Sequence, residues 1–317
     1  MAVNKEVGMH AIAPYLFRVF NKDINGPVEK RYSTLDKLGS HDLYDLLKRF
    51  IKANQSQYIM IEESKHVYMF SDVTFDDNKR YISGIFNVGI YGVRTDIINI
   101  TTGSVDFEKA KNNAEIIKHY VQFYIPKGVN EAIACMHTFR GTGVKTLFYD
   151  LFSADFKSKT NLTLQMNPLS YDKAMSSWMD GEAKELKLTK FEGVSDIADQ
   201  IRKLGHNEKE LIIKPKRNKS LGKLRDFLSP GSEQVKAIEA MEKFGSQVKT
   251  VIEINGKRRT FSVGRHKTAA LCEIEMTDSV ELNDGMPELK SMNIWVTEII
   301  NDFAYVMYPG MDMELKL

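Results

Sequence analysis

The sequence predicts a mixed α/β protein of the α+β class, built as two domains with curved, mostly antiparallel sheets flanked by amphipathic helices. Three observations carry that expectation. Short segments of alternating apolar and polar residues recur along the chain between turn residues, the pattern of strands with one wet face. A few stretches instead place apolar residues at helical spacing, most clearly Leu43, Leu46, Leu47, Phe50 and Ile51. Finally, 317 residues exceed what one hydrophobic core spans, since single cores stop growing at roughly 250–300 residues. Hydrophobic and charged fractions of 43% and 27% suit a folded chain rather than a disordered one.

In the first domain, residues 1–126, Ile12 to Asn21 is an apolar strand and Asn25-Gly26-Pro27 a turn. Ser40 is the expected N-cap of the helix that follows. Gln57 to Glu62 and His66 to Asp72 are expected strands. Arg80 to Thr101 is a third, broken by Gly84, Gly89 and Gly92, which suggest bulges or sharp twist in a curved sheet. Val105 to Ala114 is a charged connection, and Glu115 to Ile125 alternates as a strand that stops at Pro126.

The second domain, residues 127–317, opens with an apolar strand, Glu131 to Phe139, and a helix whose stripe is Val144, Leu147, Phe148, Leu151 and Phe152. Leu162 to Met166 is a strand, Tyr171 to Met179 a short helix, Glu182 to Phe191 a strand and Ser195 to Leu204 a helix stopped at Gly205. Leu211-Ile212-Ile213 is a short buried strand ended by Pro215, whose missing N–H also permits an edge. From Ser220, the spacing of Leu221, Leu224, Phe227 and Leu228 predicts an amphipathic helix closed by Ser229-Pro230-Gly231. Ser232 caps another helix. Residues 248–276 read as a three-stranded meander with a hairpin turn at Asn255-Gly256. The segment 281–317 is acidic yet rich in apolar residues, and Ile294 to Tyr308 is expected to pack within the fold as a helix.

Charge is distributed unevenly. Residues 211 to 267 carry fourteen Lys or Arg against five Asp or Glu, whereas residues 273 to 317 carry ten acids against Lys290 and Lys316. The whole-chain net charge of +2 conceals this polarity. The densest cations lie where the strand at 211–213 turns: Lys214, Lys216, Arg217 and Lys219, followed by Lys223 and Arg225, with no acid before Asp226. Cations held at the junction of two packed elements suit a polyphosphate backbone. In the meander, Lys257, Arg258 and Arg259 stand at one end, and Arg265, His266 and Lys267 at the other. The ends are ~20 Å apart at about 3.3 Å per residue, so an extended polyanion can touch both and a small anion cannot.

Other chemistry is less complete. Arg140-Gly141-Thr142-Gly143-Val144-Lys145-Thr146 lies between a strand and a helix, where backbone N–H groups can hold phosphate. It lacks the P-loop spacing because Val144 separates the second glycine from Lys145, which leaves Arg140 and Lys145 as further phosphate-backbone candidates. Glu185-Leu186-Lys187, with Asp180 or Asp172 upstream, supplies the acid-x-Lys triplet of a Mg²⁺-dependent nuclease. The same alternation belongs to any half-wet strand. Cys135-Met136-His137 offers two metal ligands where a site needs three or four, so no metal or other cofactor is expected. Cys135 and Cys272, each in an apolar segment, read as reduced core thiols. No apolar run approaches the ~20 residues of a membrane helix, Met1 to Glu6 lacks an apolar signal core, and a cytoplasmic location is expected.

Three passages, namely Met136 to Lys145, the strand and elbow Leu211 to Lys216, and the basic continuation to Lys223, resemble RexA-like DNA-binding sensors of phage exclusion. The likeness in element order spans roughly residues 40 to 228. It implies a two-domain homodimer that binds double-stranded DNA without strong sequence preference and works with a membrane partner in abortive infection, an antiviral defence. The sequence-level expectation is therefore a nonspecific DNA-binding protein with no required catalysis. The alternatives are a Mg²⁺-dependent nuclease using Glu185, Lys187 and Asp180, and an interaction subunit whose basic patch meets an acidic protein.

Overall fold

The computed structural model describes residues 10–169, 176–189, 210–244, 247–254, 257–263, 273–311 and 314–316. The expected helix at 195–204, the hairpin turn at 255–256, and Asp172, Arg265, His266, Lys267 and Cys272 lie outside the described residues. Two compact units emerge, both discontinuous in sequence. One draws on residues 1–14, 168–279 and 297–317, the other on residues 15–167 and 280–296. The expected junction at 126/127 falls inside the latter.

The unit of residues 15–167 and 280–296 starts in β1 (His10–Phe20), the mostly buried strand that both units share. Helix α1 (Leu43–Ala53) buries Leu43, Leu46, Leu47, Phe50 and Ile51 on one stripe. Its N-cap is Asp42, whose carboxylate accepts from Tyr44 N at 2.8 Å, rather than the exposed Ser40. Asp42 also receives both Nη groups of the buried Arg80 at 2.6 and 2.8 Å, and Arg80 Nε donates to Ile125 O at 2.7 Å. This ties the helix start to the sheet.

β2 (Ile59–Ile61), β3 (His66–Asp76), β4 (Tyr81–Ile90), β7 (Glu115–Tyr124) and β8 (Ala132–Phe139) pair antiparallel in the order β2-β3-β4-β7-β8. Helix α2 (Lys145–Thr160) follows β8, and β9 (Thr163–Pro168) pairs with β1. Phe17, Phe50, Phe70, Phe86, Phe123, Phe148 and Phe152 pack into one aromatic cluster, with Phe70 and Phe86 stacked at 4.5 Å between centroids. The expected charged connection at 105–114 contains β6 (Val105–Lys109), which pairs with β5 (Thr95–Ile98) as a separate hairpin. A second small hairpin, β15 (Leu282–Asn283) with β16 (Met286–Pro287), precedes helix α5 (Leu289–Met307).

The other unit contains α3 (Ser176–Met179), β10 (Glu182–Thr189), β11 (Glu210–Ile213), α4 (Glu233–Met241), β12 (Gln247–Ile254), β13 (Lys257–Val263) and β14 (Ile274–Glu275). Its strand order is β11-β10-β12-β13-β14-β1. Ser232 caps α4 as expected, its hydroxyl accepting from Val235 N at 3.1 Å. The later part of α5 buries Ile299, Ile300, Phe303 and Ala304, so the acidic segment supplies core, as its apolar residues predicted.

Three expectations need correction. Among the described residues, twelve of the sixteen strands form one open sheet ending at β11 and β2, not curved sheets. The glycines read as marks of curvature have another cause. A Cβ on Gly84 would lie 2.8 Å from Val73 Cγ2, and one on Gly89 would lie 2.4 Å from Glu115 O, so both are sites of close approach. The bulge itself is in β3, between Ser71 and Thr74, opposite Gly84. Second, β11 is not buried: among the described residues it takes the edge position that Pro215 permits, and Ile212 and Ile213 are exposed. Third, the helix expected from Ser220 is a single 3-10 turn, Leu224–Phe227. Gly222 at φ +119 cannot sit in a helix, and Lys223 N donates to Asp226 Oδ2 at 2.7 Å, which closes the turn locally. Leu224 and Phe227, the two buried residues of the apolar spacing, need only that one turn to face inward.

Candidate nucleic-acid interface

β11 delivers the chain into the basic elbow. Pro215 supplies no N–H, the chain reverses through Lys216 to Asn218, and Asn218 takes φ +59 while Lys219 N donates to Lys216 O at 2.9 Å. The return leg is stitched to the start of β10. Leu221 N donates to Ala183 O at 2.9 Å, Ala183 N to Gly222 O at 2.8 Å, and Leu224 N to Gly181 O at 3.1 Å. The turn is thereby held at both ends by backbone bonds rather than projecting as a free arm.

The six elbow cations fall into two groups. Lys214 Nζ lies 3.1 Å from Glu185 Oε1 on β10. Lys223 Nζ and Arg225 Nη2 share Asp180, at 3.1 and 2.6 Å from its two oxygens. These three cations are paired, sharing two carboxylates among them. Lys216, Arg217 and Lys219, at the apex, are exposed, and among the described residues none of them forms an ion pair. The sequence counted six equivalent cations, and the fold ranks them.

The meander cations contribute differently. Arg258 Nε meets Glu253 Oε2 at 2.6 Å across the β12–β13 hairpin. Arg259 points to the other face and is only 8% exposed; it pairs with Asp302 of α5 and stacks 4.7 Å above the Trp178 ring. It works in the core and cannot reach a phosphate. Of Lys257, only the backbone position at the start of β13 is described.

In the other unit, Arg140 follows β8 at φ +50, in a turn closed by the Phe139–Thr142 bridge, with its guanidinium 5.1 Å from the Phe139 ring. Lys145 opens α2 with Nζ 4.8 Å from the Tyr149 ring. Helix α2 starts without a side-chain cap at Val144.

The nuclease candidates are occupied elsewhere. Glu185 faces Lys214 and Asp180 faces Lys223 and Arg225, so each carboxylate meets cations rather than the other. Lys187 lies on β10 opposite Lys249. Among the described residues no group of three or more His, Cys, Asp or Glu side chains gathers to hold a metal. Cys135 and His137 are fully buried on β8. The roles of Asp180 and Glu185 as cation clamps were not legible in the sequence, since Asp180 and Lys223 are 43 residues apart and no local spacing links them.

No family model matches the chain, and no curated protein matches it. Among the described residues no helix is long and apolar enough to cross a membrane.

Proposed function

We propose that this protein binds a double-stranded nucleic acid through the apex of the basic elbow, contacting the phosphate backbone without reading sequence. The observation that carries the reading is the triplet Lys216, Arg217 and Lys219, exposed on a turn that backbone bonds anchor to β10. Preorganised cations lose little freedom on meeting a phosphate, and phosphate contacts position a protein without specifying bases. The resemblance to RexA-like sensors favours DNA over RNA and a setting in phage defence, with a homodimer and a membrane partner as parts of the same proposal. Asp180 and Glu185 belong to this reading as the acids that engage the flanking cations and leave the apex to meet the phosphates.

The test is fluorescence anisotropy on labelled duplex DNA, duplex RNA and single strands with a Lys216→Glu, Arg217→Glu, Lys219→Glu variant. Loss of at least about tenfold in duplex affinity is expected, with an unaltered melting curve because all three positions are exposed. Unchanged affinity in the folded variant sinks the elbow as the site. Incubation with supercoiled plasmid and Mg²⁺ separates the hydrolytic alternative: nicking that disappears in Glu185→Gln would replace binding with catalysis.

A further inference from the structure

The sheet of the unit of residues 15–167 and 280–296 has two unlike faces. One is the aromatic cluster. On the other, Tyr81, Ser83 and Asn87 of β4 line up beside Tyr120 and Gln122 of β7 and Cys135 and His137 of β8, and all are buried. The Tyr120 hydroxyl reaches Gln122 Oε1 at 2.7 Å and Asn293 Oδ1 of α5 at 2.6 Å, while that of Tyr81 reaches Ser83 Oγ at 2.7 Å and the same Asn293 oxygen. Burying polar groups is costly unless they are bonded, and an apolar face would cap a sheet at lower cost. A bonded polar face that ends in a cavity suggests a further use.

That cavity, about 330 Å³, lies beneath the β15–β16 hairpin and the first turn of α5. Tyr120 and His137 are its buried polar residues, Ile85, Met286, Pro287, Leu289 and Met292 its apolar walls, and Asp72 and Lys118 its exposed charges. Asp72 is aimed by the β3 bulge, where it takes φ +51. Glu288 also lines the cavity but is engaged, its Oε2 accepting from Ser291 N at 2.7 Å at the start of α5. Burial pushes the Tyr120 phenol well above its ordinary range, so it stays a neutral hydrogen-bonding group.

We propose that the cavity binds a small uncharged heterocycle of nucleoside size. Its hydrogen-bonding edge would meet Tyr120 and His137, and its flat body would lie among Ile85, Leu289 and Met292. The volume is at the lower end of ligand pockets, and apolar walls with a few convergent polar groups are what such sites share. The charged rim suits an uncharged ligand better than an anion: Lys118 stands beside Asp72, Glu288 is a second carboxylate held by Ser291 N, and a phosphate would meet one cation beside two acids. The site is independent of the basic elbow.

Adenosine is the probe, with adenosine 5′-monophosphate and uridine beside it, read by saturation-transfer NMR and thermal shift on the full chain. Adenosine at about a hundredfold excess over its Kd should raise Tm by about 4 °C, and the elbow triple-glutamate variant should keep that shift. Leu289→Trp, at a half-buried wall position, should fill the cavity and abolish binding. Lys118→Trp, at an exposed rim position that does not bear on folding, should weaken it at least fivefold. Three results overturn the proposal: no nucleoside signal at millimolar concentration, binding undiminished in the folded variants, or tighter binding of the monophosphate than of adenosine.

Discussion

Arg258 and Arg259 are adjacent in sequence and opposite in role, because successive strand residues face opposite sides of a sheet. Arg258 stays in solvent beside Glu253, whereas Arg259 enters the core between Asp302 and Trp178. Composition counts both as cations available to phosphate, and only the fold distinguishes them. Replacing Arg259 with Gln removes the ion pair and leaves Asp302 without its partner. Roughly 1.5–3 kcal/mol of stability should be lost, with duplex affinity of the folded fraction unchanged. Urea melts and anisotropy on the same preparation check both halves. A variant that melts like the parent but binds DNA poorly would place Arg259 at the interface after all. The same residue-scale logic applies at the elbow, where Glu185 and Asp180 engage Lys214, Lys223 and Arg225 and leave Lys216, Arg217 and Lys219 for a ligand.

Elements were legible where one periodicity ran long enough. The face of α1, the strands β7 and β8 and the β12–β13 pairing all follow from apolar spacing and turn residues. Where several short-range signals conflicted, the sequence was ambiguous. Leu221, Leu224, Phe227 and Leu228 match a helix, yet Gly222 and the Lys223–Asp226 bond reduce the segment to one turn. The sequence placed α5 in the fold but could not show that its residues divide between two units, because pairing across hundreds of residues leaves no local mark. Deleting residues 281–317 should therefore yield insoluble protein rather than a tighter binder. The deletion strips out Val296, Ile299, Ile300 and Phe303, all fully buried. Solubility after lysis and a melting curve of any soluble fraction check this. A folded truncation with enhanced DNA affinity would make the acidic segment an autoinhibitory phosphate mimic.

For the whole molecule, the excess of fourteen cations over five acids in residues 211 to 267 overstates the charge offered to a polyanion. Much of it is spoken for: Lys249 pairs with Glu275, Arg258 with Glu253, Arg259 with Asp302, and three elbow cations with Asp180 and Glu185. The salt dependence of binding counts what is left. Each phosphate contact releases counterions and adds about −0.9 to the slope of log affinity against log salt. Three apex contacts give a slope of about −2.7, and all six elbow cations about −5.4. The smaller value is expected at first sight, but the pairs to Asp180 are exposed, at 54%, 49% and 56% for Lys223, Arg225 and Asp180, and exposed pairs are weak. A phosphate could take those cations only by coming close to the Asp180 carboxylate, which repels it, so the slope should stay near −3. Asp180→Asn provides the decisive comparison. Freed of the acid, Lys223 and Arg225 should join the contact and steepen the slope by about 2, with tighter binding at low salt and little change on scrambling the duplex sequence. An identical slope in parent and variant would mean that the return leg lies away from the nucleic acid and that the apex alone makes the contact.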